Sequence, residues 1–302
     1  RQRAVVPGGA DEPASVALSV GAFNVSTCNA MKIAHLSDLH FGRIAHPGIV
    51  EALVREVNEK GVDLAVLSGD LTQRARPREF EAAQRMLDAI QPPTLVVPGN
   101  HDVYPWWRPY RRLATPLYRY RRYVTDDLAP TFEADGVSVL GLSTAYGATI
   151  KGGRVGPGDR RALKRYFESD GAQAFKVLVL HHHLTEIRSL GPHDVAGQAR
   201  KTLDSAAALG VDLILCGHLH ISHIEPLTVI PGKHRIVVAS AGTATSNRWR
   251  SPRGPINFYN VITIEEEAFQ IEERRYVPDD DRFARDSTTD FARSPAVQSE
   301  SR

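Results

Sequence analysis

Five strand-like apolar runs in this chain, IAHL, LAVL, TLVV, FKVLVL and LILC, each stop at a cluster of residue types that ligate metals. The clusters read SDLH (37–40), SGD (68–70), GNHD (99–102), HHH (181–183) and GHLH (217–220). In open α/β sheets, ligands bind beyond the carboxyl ends of the strands. Five separate stretches therefore converge on one edge, bringing carboxylates, an amide and imidazoles but no thiolate. That donor set is hard to borderline and suits manganese, iron or zinc. In D-x-H, residues i and i+2 of an extended segment point the same way, so Asp38 and His40 can grip one ion together. His218 and His220 can do the same unless a turn splits them between two ions. Gly69 and Gly99 stand where a strand turns sharply and its backbone must come close to the site. Some seven ligands are too many for one ion that keeps an open position. They suit two ions that share a bridging carboxylate, about 3.5–4 Å apart.

The ordered set DLH, GDL, GNHD, HHH and GHLH resembles the calcineurin-like metallophosphoesterase superfamily, over about residues 31–271. The resemblance implies an α/β fold, a four-layer αββα sandwich of two mixed β-sheets flanked by helices. It implies that Asp38, His40 and His220 hold a first metal, that Asn100, His181 and His218 hold a second, and that Asp70 bridges them. Of the three consecutive histidines, the family places the ligand first after the strand, hence His181 rather than His182 or His183. His101 would be the acid near the leaving group, and Asp102 would orient it. Serine/threonine protein phosphatases of this superfamily carry GDxVDRG and GNHE. Here the stretches are GDLTQRA and GNHD, closer to the bacterial phosphodiesterase branch that includes cyclic-nucleotide phosphodiesterases and related nucleases. AGTATSNRWR (241–250) and NFYNVI (257–262) also resemble that branch, whereas its usual HHP is here His183 followed by Leu184.

Around these motifs the chain alternates strand and helix. Strands are expected at 32–37, 63–67, 94–97, 131–134, 137–142, 175–180, 213–216, 234–240 and 259–265. Helices are expected at 47–60, 77–90, 157–167 and 199–209. The first has Ile49, Val50, Leu53, Val54 and Val57 on one face and ends at Gly61. Residues 104–124, YPWWRPYRRLATPLYRYRRYV, interrupt the alternation. They read either as an inserted helical lid that meets substrate or as a solvated amphipathic helix. From Pro278 to the end the chain is polar and charged and reads as a flexible C-terminal tail. That leaves 31–277 as the metallophosphoesterase domain. Residues 1–30 read as a disordered extension or upstream translation. A secretory signal is the lesser alternative, because Asp11, Glu12 and Pro13 interrupt its pattern.

A formal net charge of +2 argues against general affinity for nucleic acid or membrane. No run approaches the ~20 apolar residues of a membrane span. Two widely separated cysteines form no disulfide framework, so a reducing, cytoplasmic setting is expected. Cys216 reads as a small buried hydrophobe and His35 as a satisfied core histidine. His46, His193, His223 and His234 read as surface residues, and His182 and His183 as loop or supporting residues.

The function expected is a dinuclear-metal-dependent phosphoesterase, specifically a phosphodiesterase that works by attack of a metal-bridging hydroxide. Its partner is a small-molecule phosphodiester or nucleotide, bound by lid arginines or by Asn247 and Arg248. A DNA or RNA nuclease is the alternative, kept open by the arginines from Arg108 to Arg122. A non-catalytic protein-binding scaffold is a further one, disfavoured because no ligand is missing. The pattern sets no oligomeric state.

Overall fold

Period-two burial along the first strands sets the layering. In β1 (Met31–Leu36), Met31 and Ile33 face one apolar layer, while Ala34 and Leu36 face another. In β2 (Leu64–Leu67), Leu64 and Val66 join the first layer and Ala65 and Leu67 the second. Strands covered on both faces in this way read as continuous apolar runs rather than as alternating ones.

The computed structural model describes residues 30–169, 174–187, 193–229, 234–250 and 254–293. The expected N-terminal extension lies, apart from Ala30, outside the described residues. The chain runs from β1 through α1 (Ile49–Glu59), β2, α2 (Pro77–Ala89) and β3 (Thr94–Val96) into two short helices, α3 (Pro109–Ala114) and α4 (Tyr118–Tyr123). β4 (Thr131–Ala134), β5 (Val137–Gly141), α5 (Pro157–Ser169), β6 (Phe175–Val179), α6 (Ala199–Ala208) and β7 (Leu213–Cys216) follow. Five strands close the fold: β8 (His223–Val229), β9 (His234–Ser240), β10 (Phe258–Ile264), β11 (Ala268–Val277) and β12 (Arg282–Ala292).

Two six-stranded mixed sheets result, ordered β12-β11-β10-β1-β2-β3 and β4-β5-β6-β7-β9-β8. The motif-bearing strands β1, β2 and β3 run parallel in one sheet, and β6 and β7 run parallel in the other. Ile33, Val66 and Leu95 meet Val139, Val177 and Leu215 in a dry layer between the sheets. Leu53, Phe80 and Tyr120 cover the outer face of the first sheet, and Leu163, Phe167 and Leu203 that of the second. This is the four-layer αββα sandwich, with the carboxyl ends of both parallel sets opening on one edge. Among the described residues no helix is long and apolar enough to cross a membrane.

Two readings of the sequence are corrected. The stretch after Pro278 is not a flexible tail up to residue 293: a 3-10 turn at Pro278–Asp280 leads into β12, which pairs antiparallel with β11 from Val277↔Arg282 to Ala268↔Ala292. Residues 294–302 lie outside the described residues. β12 escaped hydropathy reading because only Phe283 and Phe291 of its eleven residues are buried. Their even spacing should put both on one face. The register shifts at Glu273/Arg274, passing from Glu273↔Ser287 to Arg274↔Arg285, and this bulge sends them to opposite faces. Phe283 packs on Tyr259 and Tyr276, and Phe291 on Phe269. The second correction is His234, which is buried and donates from Nε2 to the Val211 carbonyl at 2.7 Å.

Because Phe283 anchors β12 from inside the outer core, Phe283→Ala should lower the unfolding free energy by about 3–5 kcal/mol, as measured by urea titration. A loss below ~1 kcal/mol would mean that β12 frays in solution.

Candidate metal centre

The backbone of the motif loops is unusual before any side chain is considered. Asp38, His40, Asp70, His218 and His220 all have φ between 47° and 70°. Non-glycine residues seldom adopt this left-handed region, and clusters of them mark functional sites. The expectation that Asp38 and His40 converge as alternate residues of an extended segment is therefore corrected. They converge because the chain turns twice through left-handed residues, held by Asp38 N–H donating to the Gly69 carbonyl (3.1 Å) and His40 N–H to the Asp70 carbonyl (3.0 Å). The same turn splits His218 from His220, which face different groups of side chains. Gly99 has no room for a side chain: a Cβ there would lie 2.1 Å from Asp70 Oδ1. At Gly69, with φ +100°, it would lie 2.6 Å from His181 Nδ1.

The loops deliver two groups of donor atoms. Asp38 Oδ1, His40 Nε2, Asp70 Oδ2 and His220 Nε2 form the first: His220 is 3.2 Å from Asp38 Oδ1, and His40 is 3.5 Å from both Asp38 Oδ1 and Asp70 Oδ2. Asn100 Oδ1 anchors the second, 3.2 Å from His181 Nε2 and 3.0 Å from His218 Nδ1. Asp70 Oδ1 lies 3.4 Å from His181 Nε2. Asp70 thus turns one oxygen to each group. All seven residues expected as ligands are brought together.

These residues fit divalent ions on three grounds. Asp38 Oδ1 and Asp70 Oδ2 are buried and have no hydrogen-bond donor, a costly state for a carboxylate oxygen unless a cation faces it. The Nδ1 atoms of His40, His181 and His220 donate to the carbonyls of Thr72, Ser68 and Arg248, which turns each Nε2 toward the donor groups. The donor set of imidazoles, carboxylates and one amide oxygen suits manganese, iron or zinc. His182 lies within reach of His181 and His218. Both of its nitrogens are taken, Nδ1 by the Thr144 hydroxyl (2.7 Å) and Nε2 by the Lys151 carbonyl (2.9 Å). His183 lies behind the site against Cys216 and Ser240, and His35 contacts the Ser68 hydroxyl at 2.9 Å in the core.

Charge at the site follows from burial and pairing. Burial lowers His40 to about 4 and His218 to about 3, keeping both neutral as ligands must be. Burial acts on His181 in the same sense, but the Asp70 carboxylate outweighs it and raises this group to about 9. Burial would raise Asp38 and Asp70, yet the imidazoles facing them, His220 at Asp38 and His181 at Asp70, hold both well below the usual carboxylate range.

His101 sits at the mouth of the site, its ring edge-on to His40 with centroids 4.8 Å apart. Its Nδ1 donates to the Gln73 carbonyl at 2.7 Å, and its Nε2 lies 3.2 Å from the Arg248 guanidinium. Asp102 does not orient it. The Asp102 carboxylate accepts from the amides of Leu71 (3.2 Å), Thr72 (2.9 Å) and Gly99 (2.9 Å) and from the Thr72 hydroxyl (2.9 Å). It ties the loop after β2 to the loop after β3, and its oxygens are spent on that.

The late stretch 241–250 has two jobs. Thr243 and Thr245 hydroxyls donate to the carbonyls of Asp38 and Leu39, clamping the first motif loop. Arg248 orients His220 with its carbonyl and reaches His101 with its side chain. An open cleft of about 340 Å³ over the donor groups is lined by Arg248, Arg250, Lys151, His193 and Asp194 among others. His193 therefore lines the site rather than the general surface. Arg250 ends the stretch 241–250 that the resemblance singles out, whereas Lys151 and Asp194 carry no sequence signal, because nothing in their neighbourhood repeats a motif.

A family profile described as calcineurin-like phosphoesterase matches residues 31–222. The chain is 33% identical over 113 residues to a glycerophosphodiester phosphodiesterase of Enterobacter lignolyticus, a match covering 33% of this chain and 41% of that protein. It is 26% identical over 202 residues to an uncharacterized metallophosphoesterase of Helicobacter pylori, covering 66% and 47%. The chain spans less than half the length of these two curated relatives. The fold superposes on a purple acid phosphatase from yellow lupin seeds with a TM-score of 0.66 and 12% identity, covering 86% of this chain and 53% of that one. The chain belongs to the calcineurin-like phosphoesterase family.

Removing the Asp102 carboxylate strands three buried amides. Asp102→Ala should cost at least ~3 kcal/mol of unfolding free energy, and Asp102→Asn less, because one acceptor oxygen survives. If stability is unchanged while turnover collapses, Asp102 acts on the chemistry instead.

Proposed function

We propose that this chain is a dinuclear-metal-dependent phosphodiesterase acting on small-molecule phosphodiesters. The observation that carries this reading is Asp70, whose two carboxylate oxygens face two separate donor groups, one of them without any hydrogen-bond partner. Asp38, His40, His220 and Asp70 would hold one divalent ion. Asn100, His181, His218 and Asp70 would hold the other. Together the ions would make a bound water acidic and neutralise the phosphoryl oxygens of an anionic ester. The amide ligand Asn100 adds no negative charge to repel such a substrate.

The residues around the donor groups supply the rest. His101 Nδ1–H is fixed by the Gln73 carbonyl, so Nε2 points into the cleft beside Arg248. As the imidazolium, a form that burial disfavours, His101 would keep the Nδ1 proton on Gln73 and give the Nε2 proton to a departing alkoxide, help worth typically 10²–10⁴-fold. Arg248 and Lys151 line the cleft mouth and can pair with phosphoryl oxygens. A diester, rather than a monoester, is favoured by the similarity to a glycerophosphodiester phosphodiesterase over a third of the chain. It is also favoured by a second chamber that shares Asn100, His101, Lys151 and Arg248 with the cleft and leaves room for a second ester arm.

The test is turnover of mono- and diesters by manganese-reconstituted protein, with and without His101. Diesters should be hydrolysed faster than the matching monoesters. His101→Ala should keep its metal content and slow an alkyl diester by about 10²-fold or more. An aryl diester, whose leaving group departs without a proton, should slow by much less. Equal losses on both would remove the acid role, and the absence of any diester turnover would remove the phosphodiesterase reading.

A further inference from the structure

Beyond His101 the cleft changes character. A second chamber of about 270 Å³ opens there, sharing Asn100, His101, Lys151 and Arg248 with the polar chamber over the donor groups. Its walls are Val103, Pro105, Trp106, Trp107 and Ile150. Folding left these walls bare: Trp106 is 66% exposed and Ile150 65%. Among the described residues, every exposed large hydrophobic side chain lies within 106–118 or 146–150. Such clustering beside a polar site marks a surface kept open for a ligand.

The chamber is built rather than incidental. Its two walls come from the segment after the third motif and from the loop at 146–151, and Arg112 pins them together. That guanidinium is buried and donates to the carbonyls of Tyr104 and Thr149. At Gly147 the loop packs so closely that a Cβ would lie 2.1 Å from the Arg112 carbonyl oxygen. Arg112 is therefore a brace, not an anion-binding residue. Trp106 and Trp107 stand at 87° with centroids 5.8 Å apart. Perpendicular indoles make a corner that offers one ring face and one ring edge, the geometry in which aromatic groups pack best. Arg74 lies 5.5 Å from the Trp107 ring centroid, and Lys151 stands at the entrance. No carboxylate lines the chamber, so a cationic group finds no partner there.

We infer that this chamber is a subsite for one ester arm of the substrate, and that the arm carries a flat ring with neutral or negative charge. This rests on the phosphodiesterase reading of the neighbouring site. An apolar cavity of about 150 Å³ takes benzene, so the volume here admits a bicyclic ring. The substrate class is then a phosphodiester of a ring-bearing alcohol, with the phosphoryl group at the donor groups and the ring on Trp107. Ring stacking on an aromatic side chain is worth ~1–3 kcal/mol, or about 5- to 150-fold.

Two diesters with the same kind of primary alkoxide isolate the ring: methyl 2-(2-naphthyl)ethyl phosphate and methyl ethyl phosphate. Manganese-reconstituted protein should prefer the naphthyl diester in kcat/KM by about tenfold or more. Trp107→Ala should collapse that preference towards unity, Trp107→Phe should retain most of it, and Tyr118→Ala, on the same segment outside the chamber, should leave it intact. Circular dichroism checks that each variant is folded. In parallel, calorimetric titration of metal-free protein with the naphthyl diester should show saturable binding that weakens about tenfold in Trp107→Ala. If neither diester is hydrolysed, the phosphodiesterase reading fails and the titration alone decides the subsite. A wild-type preference near unity, or binding indifferent to Trp107→Ala, overturns the subsite.

Discussion

Two buried carboxylates set the terms for the rest of the molecule. Asp38 and Asp70 are fully enclosed, and each keeps one oxygen that no donor reaches. Burying such charge is costly unless opposite charge is brought to it. The fold answers partly with imidazoles: His40 and His220 face Asp38, and His181 faces Asp70. On the proposed reading, divalent cations supply what the imidazoles do not. The charge balance explains why five loops from two sheets have to meet at one edge. No single loop carries enough donors to hold two carboxylates in a dry place.

Bringing the loops together needs backbone that ordinary residues avoid. Five left-handed non-glycine residues and the close approach at Gly69 and Gly99 are costs, each left-handed position on the order of 1 kcal/mol or more. They persist because neighbouring structure over-determines them. Asp102 ties the second loop to the third, the Thr243 and Thr245 hydroxyls hold the first, and backbone bonds join the first loop to the second. Residues such as Asp102 sit inside a motif yet serve its geometry. The cleft then divides the labour: a polar chamber over the donor groups, and an apolar chamber walled by Trp106 and Trp107.

The donor residues were legible in the sequence because each directly follows an apolar run, and that adjacency survives folding. The choice of His181 over His182 came from resemblance. Its physical basis is visible only in three dimensions, where both nitrogens of His182 are already bonded. The orienting role that the resemblance implies for Asp102 does not hold, because its carboxylate turns to the amides of Leu71, Thr72 and Gly99 instead of His101, a direction that sequence does not reveal. β12 was missed because two phenylalanines on opposite faces of a bulged strand leave no periodic signal. Lys151, His193 and Arg250 reach the cleft from loops whose paths depend on the packing of everything else. Composition averaged over the chain also hid the local contrast between the polar and the tryptophan-walled chambers.

The central claim is that Asp70 joins two metal ions. A crystal structure of the protein grown with excess manganese, with anomalous differences collected at the manganese edge, tests it most directly. The account predicts two anomalous peaks about 3.5–4 Å apart, one beside Asp38, His40 and His220, the other beside Asn100, His181 and His218, with one Asp70 oxygen on each. A single peak at saturating manganese, or two peaks with Asp70 bound to only one of them, would contradict it.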